Sequence, residues 1–160
     1  MSRPALPDLG RRGEGWVAAQ VGLFAVIALA GSLGPAWSGT VRAATGVAGA
    51  VLLGAGGLFT LRGIIDLREN LTPFPRPLPG ARLVDTGAYR LARHPIYGGA
   101  IIAALGWGLL TASLAAIGGA AVLAVFFDLK SRREEIWLAD QFADYPAYRS
   151  RTRRLIPWVY

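Results

Sequence analysis

Apolar residues gather in three long blocks separated by polar stretches. Residues 16–33, WVAAQVGLFAVIALAGSL, and 41–61, VRAATGVAGAVLLGAGGLFTL, each come close to the ~20 residues a helix needs to cross a bilayer core. The third block, residues 96–129, holds 34 residues. As one helix it would be roughly 50 Å long against a hydrocarbon core of about 30 Å. A hairpin bent near Thr111, Ala112 and Ser113 resolves that excess. The pattern predicts an all-α integral membrane fold: one domain over residues 1–160, with about four transmembrane helices at 16–33, 41–61, 96–111 and 113–129. The last two form the hairpin.

Two polar segments complete this organisation. Residues 62–95 contain TPFPRPLPG, with prolines at 73, 75, 77 and 79. Alternating proline forbids helix and favours an extended strip, either a stiff spacer or a strap across the mouth of the bundle. Residues 130–160 follow the last span. DLKSRREEIWLADQF is expected to carry that helix into water, and Pro146 to end or restart it. The closing YRSRTRRLIPWVY reads by itself as a membrane-surface anchor, basic for headgroups and aromatic for the interface. Within the second span, Gly46 with Gly49, or Ala50 with Gly54, offer small surfaces for close helix packing.

Composition sharpens the class. The chain is 53% hydrophobic with 21 glycines, and only 17% of it is charged, a membrane-helix composition. It has no cysteine and one histidine, which excludes disulfides and argues against a zinc or iron site, so no metal is expected. A net charge of +7 in a soluble protein would raise nucleic acid as a partner. Its distribution points to a membrane and no nucleic acid. Sixteen of the 17 basic residues, all but Arg42, fall on one side of the four-span arrangement. By the positive-inside rule that side is the cytoplasm, with both termini there. The first span is too long for a usual signal core, and Gly34-Pro35-Ala36-Trp37 is a poor cleavage site.

The candidate chemistry lies at the cytoplasmic mouth. Tyr89, Arg90, Arg93, His94 and Tyr97 surround the start of the third span; Arg132, Arg133, Glu134 and Glu135 follow the fourth. A hairpin brings its own two ends together, so the two clusters are expected to be neighbours. Ionisable groups near the hydrocarbon boundary are commonly functional, and a carboxylate pair suits a cationic amine. Plainer readings stay open: His94 as a helix cap with Pro95 at the first helical position, and the glutamates as a solvated face paired with Arg132 and Arg133. The chain has no Rossmann glycine fingerprint, no phosphate-binding Gly-Lys-Ser/Thr and no nucleophile elbow. Direct transfer from a bound, activated donor is favoured over covalent catalysis.

ARLVDTGAYRLARHPIYGG, an apolar hairpin, then REEIWLADQFADYPAYRSRTRRLIP together resemble the isoprenylcysteine carboxyl methyltransferases and their phospholipid methyltransferase relatives, over roughly residues 62–158. The resemblance implies a membrane methyltransferase using S-adenosylmethionine in a cytoplasmic pocket over the hairpin, covered by the preceding loop and the C-terminal segment. It places Tyr89, His94, Pro95, Ile96, Tyr97 and Gly98 at the cofactor, with Ala81, Arg82, Leu83 and Val84 supplying strap contacts. Glu134 matches the glutamate that holds the cofactor, and Glu135 completes the pair. Lys130 stands where the family has a basic residue near the acceptor, usually arginine in the carboxyl methyltransferases; Arg90 and Arg93 could share that task. The implied reaction is methyl transfer to a lipophilic acceptor, an isoprenoid-like acid being favoured, in what reads as a bacterial inner membrane. Alternatives are lipid amine N-methylation, an NADPH-dependent sterol or enone reductase using Arg149 to Arg154 for the adenosine phosphate, and a non-catalytic scaffold.

Overall fold

All three apolar blocks fold as helix. The computed structural model describes residues 6–33 and 37–160. Among the described residues there is no strand, and the α-helices are α1 Glu14–Leu33, α2 Gly39–Leu67, α3 Pro95–Leu110, α4 Leu114–Gln141 and α5 Tyr145–Arg151. By length and composition α1, α2 and α4 are capable of crossing a membrane, and α3 is a shorter apolar helix of 16 residues. Residues 34–36 of the expected non-cleavage segment lie outside the described residues.

The hairpin bend falls where length required it. Thr111 N–H donates to Trp107 O at 2.9 Å and Ser113 N–H to Gly108 O at 2.9 Å, closing the turn around Ala112 at φ 54°. Ser113 then starts α4: its Oγ accepts from Ala116 N at 3.2 Å and donates to Ala30 O of α1 at 2.9 Å. α4 runs unbroken from the apolar block through Glu135 to Gln141, and α5 restarts with Pro146 in its first turn.

α2 and α3 approach most closely, and of the expected small residues Gly49 is at the contact whereas Gly54 is not. Gly49, Gly56 and Gly63, at spacing seven, are the buried residues of α2. A Cβ on Gly56 would meet Ala103 N and Gly99 O of α3 at 2.5 Å, and one on Gly63 would meet Pro95 and Ile96 at 3.0 Å. Gly106 and Gly99 return the contact from α3, also seven apart. Gly54 and Gly57 meet nothing within 4 Å. A seven-residue repeat stays on one helix face over two turns, whereas spacings of three or four around Gly46, Ala50 and Gly54 drift off it. The seam also carries α2 to Leu67, beyond the expected end at 61, because Gly63 is still packed against the start of α3. At the far end, Arg42 Nη1 donates to Leu110 O of α3 at 2.7 Å.

α1 packs on α4 and, less extensively, on α3. The core contains Ile27, Ile101, Leu123 and Phe127. Between α1 and α2 an open apolar groove remains over α3, lined among others by Phe24, Gly57, Ile64, Ala100 and Trp107.

The seam makes a testable distinction. Gly56→Val should destabilise the fold by about 1–3 kcal/mol, the usual cost of overpacking, while Gly54→Val should be nearly neutral. Thermal unfolding of the detergent-solubilised variants measures the difference.

Candidate active site

The polar end of the bundle is organised by the segment that precedes α3. Ala92 bridges Arg153 in parallel, Arg93 N–H donates to Arg153 O at 2.8 Å and His94 N–H to Arg154 O at 2.9 Å. The C-terminal segment is therefore laid alongside the Arg-His-Pro sequence. Tyr148 Oη donates to Tyr89 O at 2.7 Å from the same side. Burial pushes the phenols of Tyr89, Tyr145 and Tyr148 well above their ordinary range, so all three remain protonated donors.

His94 sits at the position preceding α3, but its side chain makes no capping hydrogen bond. The plain reading holds for the backbone, with His94 at the N-cap and Pro95 the first residue of α3, but the side chain does not cap: the ring turns toward α4. It stacks on Tyr97 (centroids 5.4 Å apart, 2° between planes), and Tyr97 stacks on Phe127 at 4.5 Å. Tyr97 Oη donates to Glu134 Oε2 at 2.8 Å, and His94 Nδ1 lies 3.9 Å from the same oxygen. His94 Nε2 lies 3.5 Å from Glu135 Oε1 but not in hydrogen-bonding geometry, leaving that buried nitrogen without a partner.

The two glutamates have different environments. Glu135, only 4% exposed, accepts from Arg93 Nε at 2.7 Å and Arg154 Nε at 3.3 Å, with Arg149 Nε at 3.7 Å. It ties α4 to the start of α3 and to the C-terminal segment and does not line the cavity beside it. Glu134 does line that cavity.

The cavity has a volume of about 370 Å³, within the range of small-molecule sites. Of the expected residues, Ala81, Arg82, Leu83, Val84, Tyr89, Arg93, His94, Ile96, Tyr97, Lys130 and Glu134 line it. Four expected residues are placed elsewhere. Pro95 packs against Gly63, and Gly98 against the carbonyl of Leu155. Glu135 faces the arginines, and Arg90 is solvent-exposed. The Arg93 guanidinium is engaged by Glu135 and by the carbonyls of Arg149 and Thr152. Of the three cations expected near an acceptor, Lys130 alone is both in the cavity and free of a carboxylate partner among the described residues.

The proline segment forms a strap over this cavity. Asn70 and Arg82 clasp reciprocally, Asn70 Nδ2 to Arg82 O at 3.1 Å and Arg82 N to Asn70 Oδ1 at 3.2 Å. Pro75 is fully buried, and Gln141 Nε2 donates to Leu78 O at 3.0 Å. Sequence reasoning missed Gln20 of α1, and it included Tyr145 only within the quoted stretch REEIWLADQFADYPAYRSRTRRLIP; both line the cavity. The Tyr145 hydroxyl is buried without a hydrogen-bond partner. The arginines considered for a nucleotide phosphate are largely engaged: Arg149 with Glu135, Arg151 with Asp85, and Arg154 with Asp128 and Glu135.

A family model described as phospholipid methyltransferase matches residues 44–145, from α2 through the strap, the hairpin and Glu134. The chain belongs to the phospholipid methyltransferase family. A curated relative, the cobalt-zinc-cadmium resistance protein CzcN of Cupriavidus metallidurans, is 39% identical over 79 residues, covering 47% of this chain and 35% of the relative. The chain thus spans about a third of that relative's length. Membership in a methyltransferase family agrees with the resemblance carried by the Arg-His-Pro-x-Tyr and Glu-Glu segments. α1, which supplies Gln20, lies outside the matched residues.

The unequal glutamates separate folding from ligand binding. Glu135→Ala should cost about 3–5 kcal/mol by leaving buried guanidinium unpaired, whereas Glu134→Gln should change stability by less than about 1 kcal/mol because the Tyr97 hydrogen bond survives. Unfolding curves of both variants test this.

Proposed function

We propose that the chain transfers a methyl group from S-adenosylmethionine to a lipophilic acceptor, with a carboxyl oxygen as the favoured acceptor atom. The main support is one juxtaposition: Glu134 and Lys130 both line the strap-covered cavity, one helical turn apart, roughly 6 Å along α4, with Lys130 nearer the apolar part of that helix. Ile64 borders both the cavity and the groove, so the two spaces adjoin. An acceptor could thus keep its chain in the bilayer while its head group reaches Lys130. The one-sided basic residues support a cytoplasmic location for this end, in what reads as a bacterial inner membrane.

The residues fit the donor. S-adenosylmethionine supplies an electrophilic methyl carried on a sulfonium. Glu134 would receive its ammonium and contribute negative potential beside the sulfonium. The unpartnered hydroxyl of Tyr145, which lines the cavity, offers a further polar contact. Tyr89 and the strap from Ala81 to Val84 would cover the adenosine side. A carboxylate acceptor is already ionised and needs no base. The chain's work is then alignment and exclusion of water.

The family description also permits a lipid amine as acceptor. An ammonium group such as Lys130 at the acceptor end opposes a cationic head group and favours an anionic one.

Two measurements test the assignment. Glu134→Gln should weaken S-adenosylhomocysteine binding at least tenfold by calorimetry, the loss of a charge-assisted hydrogen bond worth about 1.5–3 kcal/mol; Arg151→Gln should not. Equal affinity in wild type and Glu134→Gln would remove the glutamate from the site. Lys130→Ala should reduce turnover of a prenyl-chain acid at least tenfold, about 1.4 kcal/mol, with S-adenosylhomocysteine affinity within about threefold. Unchanged turnover would withdraw the carboxylate assignment.

A further inference from the structure

Lys130 is 1% exposed and is not snorkelling toward the headgroups. Among the described residues its ammonium has no carboxylate partner within ion-pair distance. Its neighbours are the amide oxygen of Gln20, at 2.5 Å from Nζ, and the faces of Tyr97 at 4.9 Å and Phe127 at 5.9 Å. An ammonium has three donors, and one amide with two π-faces replaces its water only in part. The group is held and oriented at the wall of a cavity without a direct ion pair, its nearest carboxylate being Glu134 one helical turn along α4.

Gln20 is the only amide or ionisable side chain between Trp16 and Leu33. A polar side chain at that depth is retained against a solvation cost. A leucine there would leave the Lys130 ammonium without its side-chain hydrogen-bond partner. A glutamate would pair with Lys130 permanently and block any anionic ligand. An amide avoids both outcomes: its oxygen fixes the ammonium, and its N–H₂ group adds donors beside it.

We infer that Gln20 sets acceptor specificity: its amide and the Lys130 ammonium that it holds together form the head-group subsite for an anionic oxygen on a lipophilic chain. The inference rests on the methyl-transfer reading above and adds α1 to the functional part of the chain. In the reaction, a carboxylate oxygen forms a bond to the methyl carbon as the sulfur–carbon bond breaks. One negative and one positive charge give a neutral ester and a neutral thioether, with no proton to place. The ester no longer matches the cationic subsite, which favours its return to the bilayer along the groove.

The test uses the full chain in lipid nanodiscs and three probes sharing one fifteen-carbon chain: farnesoic acid, farnesol and farnesylamine. Binding is measured with and without S-adenosylhomocysteine. Wild type should bind the acid at least tenfold more tightly than the alcohol and more tightly than the amine. Gln20→Leu should lower the acid-to-alcohol ratio at least fivefold, with S-adenosylhomocysteine affinity within about threefold. Gln20→Glu should lose the acid preference and bind the amine more tightly than wild type does. A residue that merely packs α1 on α4 would change the unfolding temperature but leave these ratios alone, and that result would overturn the proposal. So would a wild-type preference for the amine or no preference at all. If S-adenosylhomocysteine fails to bind while the head-group ratios follow expectation, the donor assignment fails and the subsite stands.

Discussion

Everything at the polar end depends on one buried carboxylate. Glu135 joins three parts of the chain that are distant in sequence: the start of α3 through Arg93, the C-terminal segment through Arg149 and Arg154, and α4, which carries it. Bringing these charges out of water is costly, and only their mutual hydrogen bonds make the arrangement tolerable. With them satisfied, the backbone of Arg93 and His94 is pinned against Arg153 and Arg154. The imidazole then stacks on Tyr97, and the Tyr97 hydroxyl meets Glu134. Neighbouring glutamates thus divide the work, one holding the architecture and the other facing the cavity.

The membrane architecture supplies the remaining constraint. α2 and α3 approach until backbone meets backbone, which requires Gly56 and Gly99 at the contact. α1 packs away from α2, and the space it leaves is the apolar groove that shares Ile64 with the strap-covered cavity. The tight glycine contact lies on one side of that groove and the less closely packed α1 on the other. The strap provides a separate cover from the water side, closed by the Asn70–Arg82 clasp.

Much of this was legible in the residues. The hairpin followed from 34 apolar residues against a fixed bilayer thickness, and the strap from four alternating prolines. The nearness of His94 to the glutamates followed from hairpin geometry. What each glutamate does was not legible: consecutive residues on a helix point about 100° apart, and the sequence does not say which direction is the cavity. The same limit hid the difference between Lys130, Arg90 and Arg93, all cations near the mouth, of which two are placed elsewhere or already engaged. The glycine seam was only partly read because several spacings coexist among the small residues of α2, and only the partner helix selects the seven-residue one. Gln20 left a signal that was overlooked, a lone amide in an otherwise apolar span.

Arg42 is the one basic residue that breaks the lopsided charge distribution, and its guanidinium donates to the carbonyl of Leu110, the last residue of α3. It offsets the negative end of that helix and is not a free charge of the outer connection. Its partner Leu110 lies 68 residues later in the chain. A ribosome therefore delivers the cation long before the carbonyl that will receive it. The contact that satisfies Arg42 forms only once α3 has been made, so the start of α2 is completed by a residue from the far end of the hairpin.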